Sequence, residues 1–129
     1  MLRSVGKKAA ALTLLGDALK GVVAILVAIL VGVIAKEVDY GILCCGTGIG
    51  ISLAANKVPG IRCAVVSDVF SAKMSKAHND ANMLSLGERV LGRGLALEIV
   101  DAWVNTEFEG ARHSKRVNMI KEIESRHNK

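Results

Sequence analysis

Aromatic side chains are almost missing from this chain: two Phe, one Tyr and one Trp make up 3% of its 129 residues. Its core must therefore be aliphatic, drawn from the Val, Ile, Leu and Ala behind an apolar content of 51%. With no aromatic interleaving, basic charge alone is a weak footprint for nucleic acid, and no nucleic-acid partner is expected. Cysteine occurs three times, an odd number without paired spacing. That argues against a disulfide framework and for a reducing, cytoplasmic setting. The short Cys-x-x-Cys or Cys/His spacings of a zinc site are absent, so no metal is expected. No Gly-Lys-Ser/Thr occurs, which excludes a phosphate loop of the NTPase kind. Internal repeats and low-complexity stretches are absent as well.

What charge there is sits at the ends. Residues 1–36 carry five Lys/Arg against one acid, residues 37–110 six against nine, and residues 111–129 six against two. Two basic ends on a slightly acidic middle suit an anionic ligand or surface, or two solvated ends. The first 36 residues also differ in texture. Arg3, Lys7 and Lys8 lead into Leu12-Thr13-Leu14-Leu15-Gly16-Asp17-Ala18-Leu19-Lys20-Gly21, and then fourteen uncharged, mostly aliphatic residues run from Val22 to Ala35. A run that short falls below the roughly 20 residues of a spanning helix. Asp17 and Lys20 interrupt the basic-then-apolar pattern of a secretion signal, and no Ala-x-Ala-like cleavage site precedes Glu37. The segment is expected as an apolar helix covering the core, in preference to membrane association.

From Glu37 the chain alternates apolar runs with helical patterns. Tyr40–Cys45, Ile61–Ser67 and Met83–Leu86 read as strands, the first two with the continuous apolar character of buried parallel strands. Helices are expected over Ile49–Lys57, from an Asp68 N-cap to about Asp80, over Gly94 to about Thr106, and from Arg112 to about Glu124. The fold expected is α/β: a truncated, Rossmann-like three-stranded parallel sheet with flanking helices and an extra apolar N-terminal helix.

The chemistry gathers at Cys45-Gly46-Thr47-Gly48-Ile49-Gly50, between the first strand and its helix. In a parallel sheet, ligands bind beyond the carboxyl ends of the strands. Closely spaced glycines bring backbone N–H groups near a ligand, and a helix start favours an anion. Dinucleotide binding is one reading, with Asp68 as the ribose acid, but the fingerprint needs Gly-x-Gly-x-x-Gly and position 51 is Ile. Acid/base catalysis on a small phosphorylated molecule is another. Cys45 would serve as base or nucleophile, the N–H groups of Gly46–Gly50 would hold an oxyanion, and Arg112 and Arg116, at i and i+4, would clamp a phosphate. The bland alternatives are a buried small apolar residue for Cys45, a solvated face for the arginines and a helix cap for His78.

Two resemblances bear on these readings. Gly41-Ile42-Leu43-x-Cys45-Gly46-Thr47-Gly48-Ile49-Gly50-Ile51-Ser52-x-Ala54-Ala55-Asn56-Lys57 is the first of several long stretches. With His78-Asn79-Asp80-Ala81-Asn82, Leu97-Glu98-Ile99-Val100-Asp101-Ala102-Trp103 and Phe108-Glu109-Gly110-x-Arg112-His113-x-x-Arg116-Val117, it resembles the B-type ribose-5-phosphate isomerases and their galactose-6-phosphate isomerase relatives. The resemblance implies interconversion of ribose 5-phosphate and ribulose 5-phosphate through an enediolate, without metal or organic cofactor. It assigns the base to Cys45, the anion hole to Gly46, Gly48 and Gly50, ring opening and positioning to Thr47 and His78, a substrate contact to Asn79 and phosphate binding to Arg112 and Arg116. It also implies a homodimer whose sites each draw on both subunits. Family members begin with a strand bearing an Asp-His pair, ahead of the cysteine; no Asp-His pair occurs here, so activity is open to loss.

The other likeness is confined to about residues 1–30. Leu2-Arg3-Ser4-Val5-Gly6-Lys7-Lys8 and Leu12–Gly21 look like an internal stretch of the acyl-phosphate-dependent glycerol-3-phosphate acyltransferases, whose other motifs are absent. The expectation is thus an apolar helical segment over 1–36 joined to an isomerase-like α/β domain over 37–129. The alternative function is that of a non-catalytic, recombined scaffold binding a protein partner through its apolar or its basic terminal helix.

Overall fold

The computed structural model describes the backbone of residues 11–14 and all of residues 38–128. Four strands, β1 (Ala11–Leu14), β2 (Gly41–Cys45), β3 (Cys63–Val65) and β4 (Met83–Gly87), form one parallel sheet in the order β1-β2-β4-β3. The helices are α1 (Ile49–Ala55), α2 (Val69–Ala77), α3 (Arg93–Val104) and α4 (Arg112–His127). The three expected strands are all present. A fourth joins them: Ala11–Leu14 lies parallel to β2, with Ala11 opposite Gly41 and Leu14 opposite Cys44. Within the 1–36 segment expected as helical, Ala11–Leu14 is thus a strand that pairs the ladder groups on that side of β2. The expected helix over 22–35 lies outside the described residues. Among the described residues no helix is long and apolar enough to cross a membrane.

The sheet has a core on each face. Leu43 and Met83 pack with Ile51 and Ala55 of α1, and Ile61 closes that cluster. On the other face Ile42, Leu84 and Leu86 meet Ala72 of α2 and Ile99 and Trp103 of α3. Alternation along β2 and β4 thus sends successive apolar side chains to opposite faces, each burial contributing about 1.5–3 kcal/mol. Asp68 caps α2 as expected, its carboxylate accepting the Ser71 N–H at 2.6 Å, and that bond holds its carboxyl below the usual range. In α3, Ile99 and Trp103 are fully buried while Leu95, one turn before Ile99, is exposed.

One charged residue enters the second core. Lys76 is only 3% exposed. Its Nζ lies 3.1 Å above the centre of the Tyr40 ring and 4.5 Å from that of Trp103, and the two rings meet edge to face at 5.2 Å. Two electron-rich faces partly replace the water an ammonium loses on burial. They do not replace all of it: burial pushes Lys76 down to about 8, with Asp80 and Asp39 opposing the shift. An unfolded lysine titrates near 10.5. Above about 8 the unfolded chain therefore binds more protons at this site, and stability contributed here rises with pH. Thermal melts of the wild type and Lys76→Met should show the wild type gaining on the variant between about pH 7 and pH 9. A difference that stays flat across that range would contradict the burial of the amine.

Candidate active site

The strand order dictates where a crevice opens. After β2 the chain turns to α1 on one face; after β4 it turns to α3 on the other. Between two adjacent strands whose connections depart to opposite faces, the carboxyl ends are left uncovered. Here those ends are Cys45 to Gly48 and Gly87 to Arg89, and they are stitched together. The Glu88 N–H donates to Cys45 O at 2.8 Å and the Arg89 N–H to Gly46 O at 3.0 Å. The Ser85 hydroxyl donates to the Gly48 carbonyl.

The fit leaves no room for side chains at two positions. A Cβ on Gly48 would lie 2.8 Å from the Leu86 carbonyl carbon, and its φ of +79° is one that L side chains rarely adopt. A Cβ on Gly87 would lie 2.6 Å from the Thr47 carbonyl oxygen. The loop after β2 is thereby pressed onto the end of β4. Within it, the Gly48 N–H donates to Cys45 Sγ at 3.1 Å, and Thr47 Oγ1 accepts the Ile49 N–H at 3.2 Å. Cys45 is half-buried against the α1-side core, so its sulfur is fixed but reachable.

The other two thiols are poor candidates for reaction. Burial pushes Cys63 up to about 12, and burial with the nearby Glu88 carboxylate raises Cys44. Arg89, a strand-end residue to which no role was assigned from sequence, stretches over Gly46, with Cδ 3.8 Å from where a Gly46 Cβ would stand. Its signal was positional: it follows the tip of β4.

His78, Asn79, Arg112 and Arg116 lie elsewhere. α2 runs back from the carboxyl end of β3, so His78, its C-cap, stands at the amino end of the sheet. Lys76 over Tyr40 and the Gly41 N–H donating to Asn82 O at 3.1 Å place the same turn beside the start of β2. Five residues of β2 separate that end from Cys45, about 13 Å along the strand. One copy of the chain thus does not bring His78 to Cys45.

At this second locus His78 stacks on His113, centroids 4.1 Å apart and rings 11° from parallel. Arg112 and Arg116 are exposed beside the buried His113. Asn79 faces a cavity of about 740 Å³, shared with Lys57, Arg62 and Lys121; no other expected site residue lines it. His113 and Glu109, within the quoted motif but given no role, belong to this locus by position.

A sequence profile of the Ribose/Galactose Isomerase family matches residues 21–120. The chain belongs to this family. The match takes in residues 21–36 as well as the α/β domain. Ribose-5-phosphate isomerase B of Escherichia coli (strain K12) is 56% identical over 92 residues, covering 71% of this chain and 62% of that protein. The chain thus spans less than two thirds of that relative's length. The solved structure of Clostridium thermocellum ribose-5-phosphate isomerase B superposes with a TM-score of 0.78 at 54% identity, over 81% of this chain and 70% of that one. That of Mycoplasma genitalium, with bound ribulose-5-phosphate, gives 0.77 at 33% identity over 88% and 75%. Ribose/galactose isomerase family membership and the Rossmann-like parallel sheet are thus shared by sequence and by shape.

The tight loop yields a stability test. Gly48→Ala and Gly87→Ala should each lose at least about 2 kcal/mol. Gly50→Ala should hold or gain up to about 1 kcal/mol, because it sits in α1 with nothing within 4 Å of its Cβ position. Equal melting temperatures for all three would contradict the close approach.

Proposed function

We propose that the chain is an aldose–ketose isomerase acting on a five-carbon sugar phosphate, interconverting ribose 5-phosphate and ribulose 5-phosphate through an enediolate. The observation that carries this is the Cys45 sulfur held by the Gly48 N–H at the mouth of the β2/β4 crevice. As base, Cys45 takes the proton from C2 of the open-chain aldose and returns it to C1. The oxygen left negative in the enediolate meets the backbone N–H groups of Gly46 and Gly50, with that of Gly48 shared with the Cys45 sulfur, and such fixed donors suit a developing charge. Thr47 and His78 assist ring opening and Asn79 contacts the sugar. Arg112 and Arg116 hold the phosphate as charge-assisted donors, and Arg89 stands over the loop as a further cation.

The separation of Cys45 from His78 supports a composite site in a homodimer, in which the sheet's carboxyl end of one copy faces the amino-end cluster of another. Ile49 and Leu53, exposed at 53% and 61% beside the Cys45 loop, supply apolar surface for such a contact. The likeness of residues 1–30 to the acyltransferases rests on sequence alone, and no acyl-transfer chemistry is proposed. No Asp-His pair stands anywhere in the sequence, so turnover by this chain as it stands is the quantity to measure. The alternative, a scaffold that binds a protein partner, follows if none is found.

Two assays test this. Cys45→Ala should lower conversion of ribose 5-phosphate by about 100-fold or more, the scale of a lost general base; wild-type conversion no greater than the variant's would sink the isomerase reading. Cys45→Ala and His78→Ala chains, refolded together in equal amounts, should recover about a quarter of wild-type activity, since half the dimers then carry one intact site. Activity no higher than the sum of the two variants would place both residues in one copy.

A further inference from the structure

Three segments converge beneath His78. Glu109, in the loop before α4, is tied to the last turn of α2 by its N–H, which donates to Ala77 O at 3.0 Å. Gly110 and Ala111 then take positive φ values of 67° and 49°, and this sharp bend brings α4 back against α2. Ala111 adopts that conformation without being glycine, a strain that persists only where surrounding contacts enforce it. The bend places His113 in the first turn of α4, 6% exposed, with its ring flat against that of His78. Glu109 Oε2 stands 3.4 Å from His113 Nε2. That nitrogen is buried and, among the described residues, makes no hydrogen bond.

A metal ion is a poor occupant, although ligand atoms of His78, Glu109 and His113 lie within 4.8 Å of one another. Imidazole ligates through a lone pair in the plane of its ring. Two rings 4.1 Å apart and 11° from parallel cannot aim both lone pairs at one ion. Arg112 and Arg116 add positive charge beside the cluster. What the arrangement does offer is a carboxylate at the edge of one imidazole and a second imidazole on its face.

We propose that Glu109 is a positioning residue that fixes the ring orientation of His113 and, through the stacking contact, of His78. Its role in turnover rests on the isomerase reading; the pairing itself does not. The groups facing His113 are Glu109 from the loop, His78 from α2 and Arg112 and Arg116 from α4. Burial, then His78 and Arg112, and more weakly Arg116, hold His113 below the ordinary histidine range, while Glu109 opposes them. His113 is therefore neutral near neutral pH and carries a single N–H. A carboxylate 3.4 Å from Nε2 favours the tautomer with the proton on that nitrogen, and a small rotation of the exposed Glu109 side chain would complete the hydrogen bond that locks the ring. A locked, uncharged ring gives His78 a fixed surface to stack on, leaving the edge of the His78 imidazole to meet a sugar.

Glu109 is exposed, so substitution there leaves the fold standing. Glu109→Gln keeps the acceptor and removes the charge; Glu109→Ala removes both. Ring resonances of His78 and His113 followed by NMR through a pH titration of the full chain read the pair without any need for turnover. In Glu109→Gln the His113 midpoint should fall by about 0.3–1 pH unit, because the ring loses the nearby negative charge that raises it. In Glu109→Ala the ring-stacking shifts of both residues should weaken as well. In the isomerase assay kcat should fall about tenfold in Glu109→Ala with KM within about twofold, and Glu109→Gln should restore part of it. A His113 midpoint and stacking shifts unmoved in both variants overturn the proposal, whatever the turnover. A moved His113 midpoint in a chain whose wild type does not convert ribose 5-phosphate upholds the pairing and sinks the isomerase reading instead.

Discussion

The contact on which the site depends is one between bare backbones. Gly87 meets the Thr47 carbonyl and Gly48 meets the Leu86 carbonyl at distances that exclude a Cβ. Because of that contact, the loop after β2 lies across the end of β4 and turns its Gly48 N–H onto the Cys45 sulfur. The apolar burial of Leu43, Met83, Ile42 and Leu84 on the two faces fixes the strands that carry both sides of this junction. Larger residues at either glycine would open the crevice before any catalytic atom was altered.

Much of this is legible in the residues themselves. Closely spaced glycines after an apolar run need a close approach of backbone, and Asp68 announces the start of α2 through a side chain that bonds its own helix. Such signals are local, and local signals survive folding. The strand Ala11–Leu14 is not of this kind. Four residues of mixed aliphatic character carry no period that separates strand from helix, and only the neighbouring β2 decides the matter. The place of Arg89 at the end of a strand is legible in the sequence, but its reach over Gly46, 43 positions earlier, is not.

The amino-end cluster shows a second limit. His78 reads from sequence as a helix cap, and a helix cap it is, with its N–H donating to Met74 O at 2.9 Å. What the sequence conceals is that a bend at Gly110 and Ala111 lays His113 beneath it and sets Glu109 beside both. Sequence spacing also does not reveal that this cluster and Cys45 sit at opposite ends of the sheet. A parallel sheet with returning helices puts helix ends and strand ends on different sides by construction, so chemistry shared between them calls for a second copy. The proposed dimer follows from that topology as much as from family likeness.

The most direct test of the account is a crystal structure of the chain with ribose 5-phosphate bound. The account predicts C1 or C2 of the sugar within about 3.5 Å of Cys45 Sγ in one copy, and the phosphate between Arg112 and Arg116 of another. A sugar seated within a single copy, in the cavity beside Asn79 and away from Cys45, would contradict it.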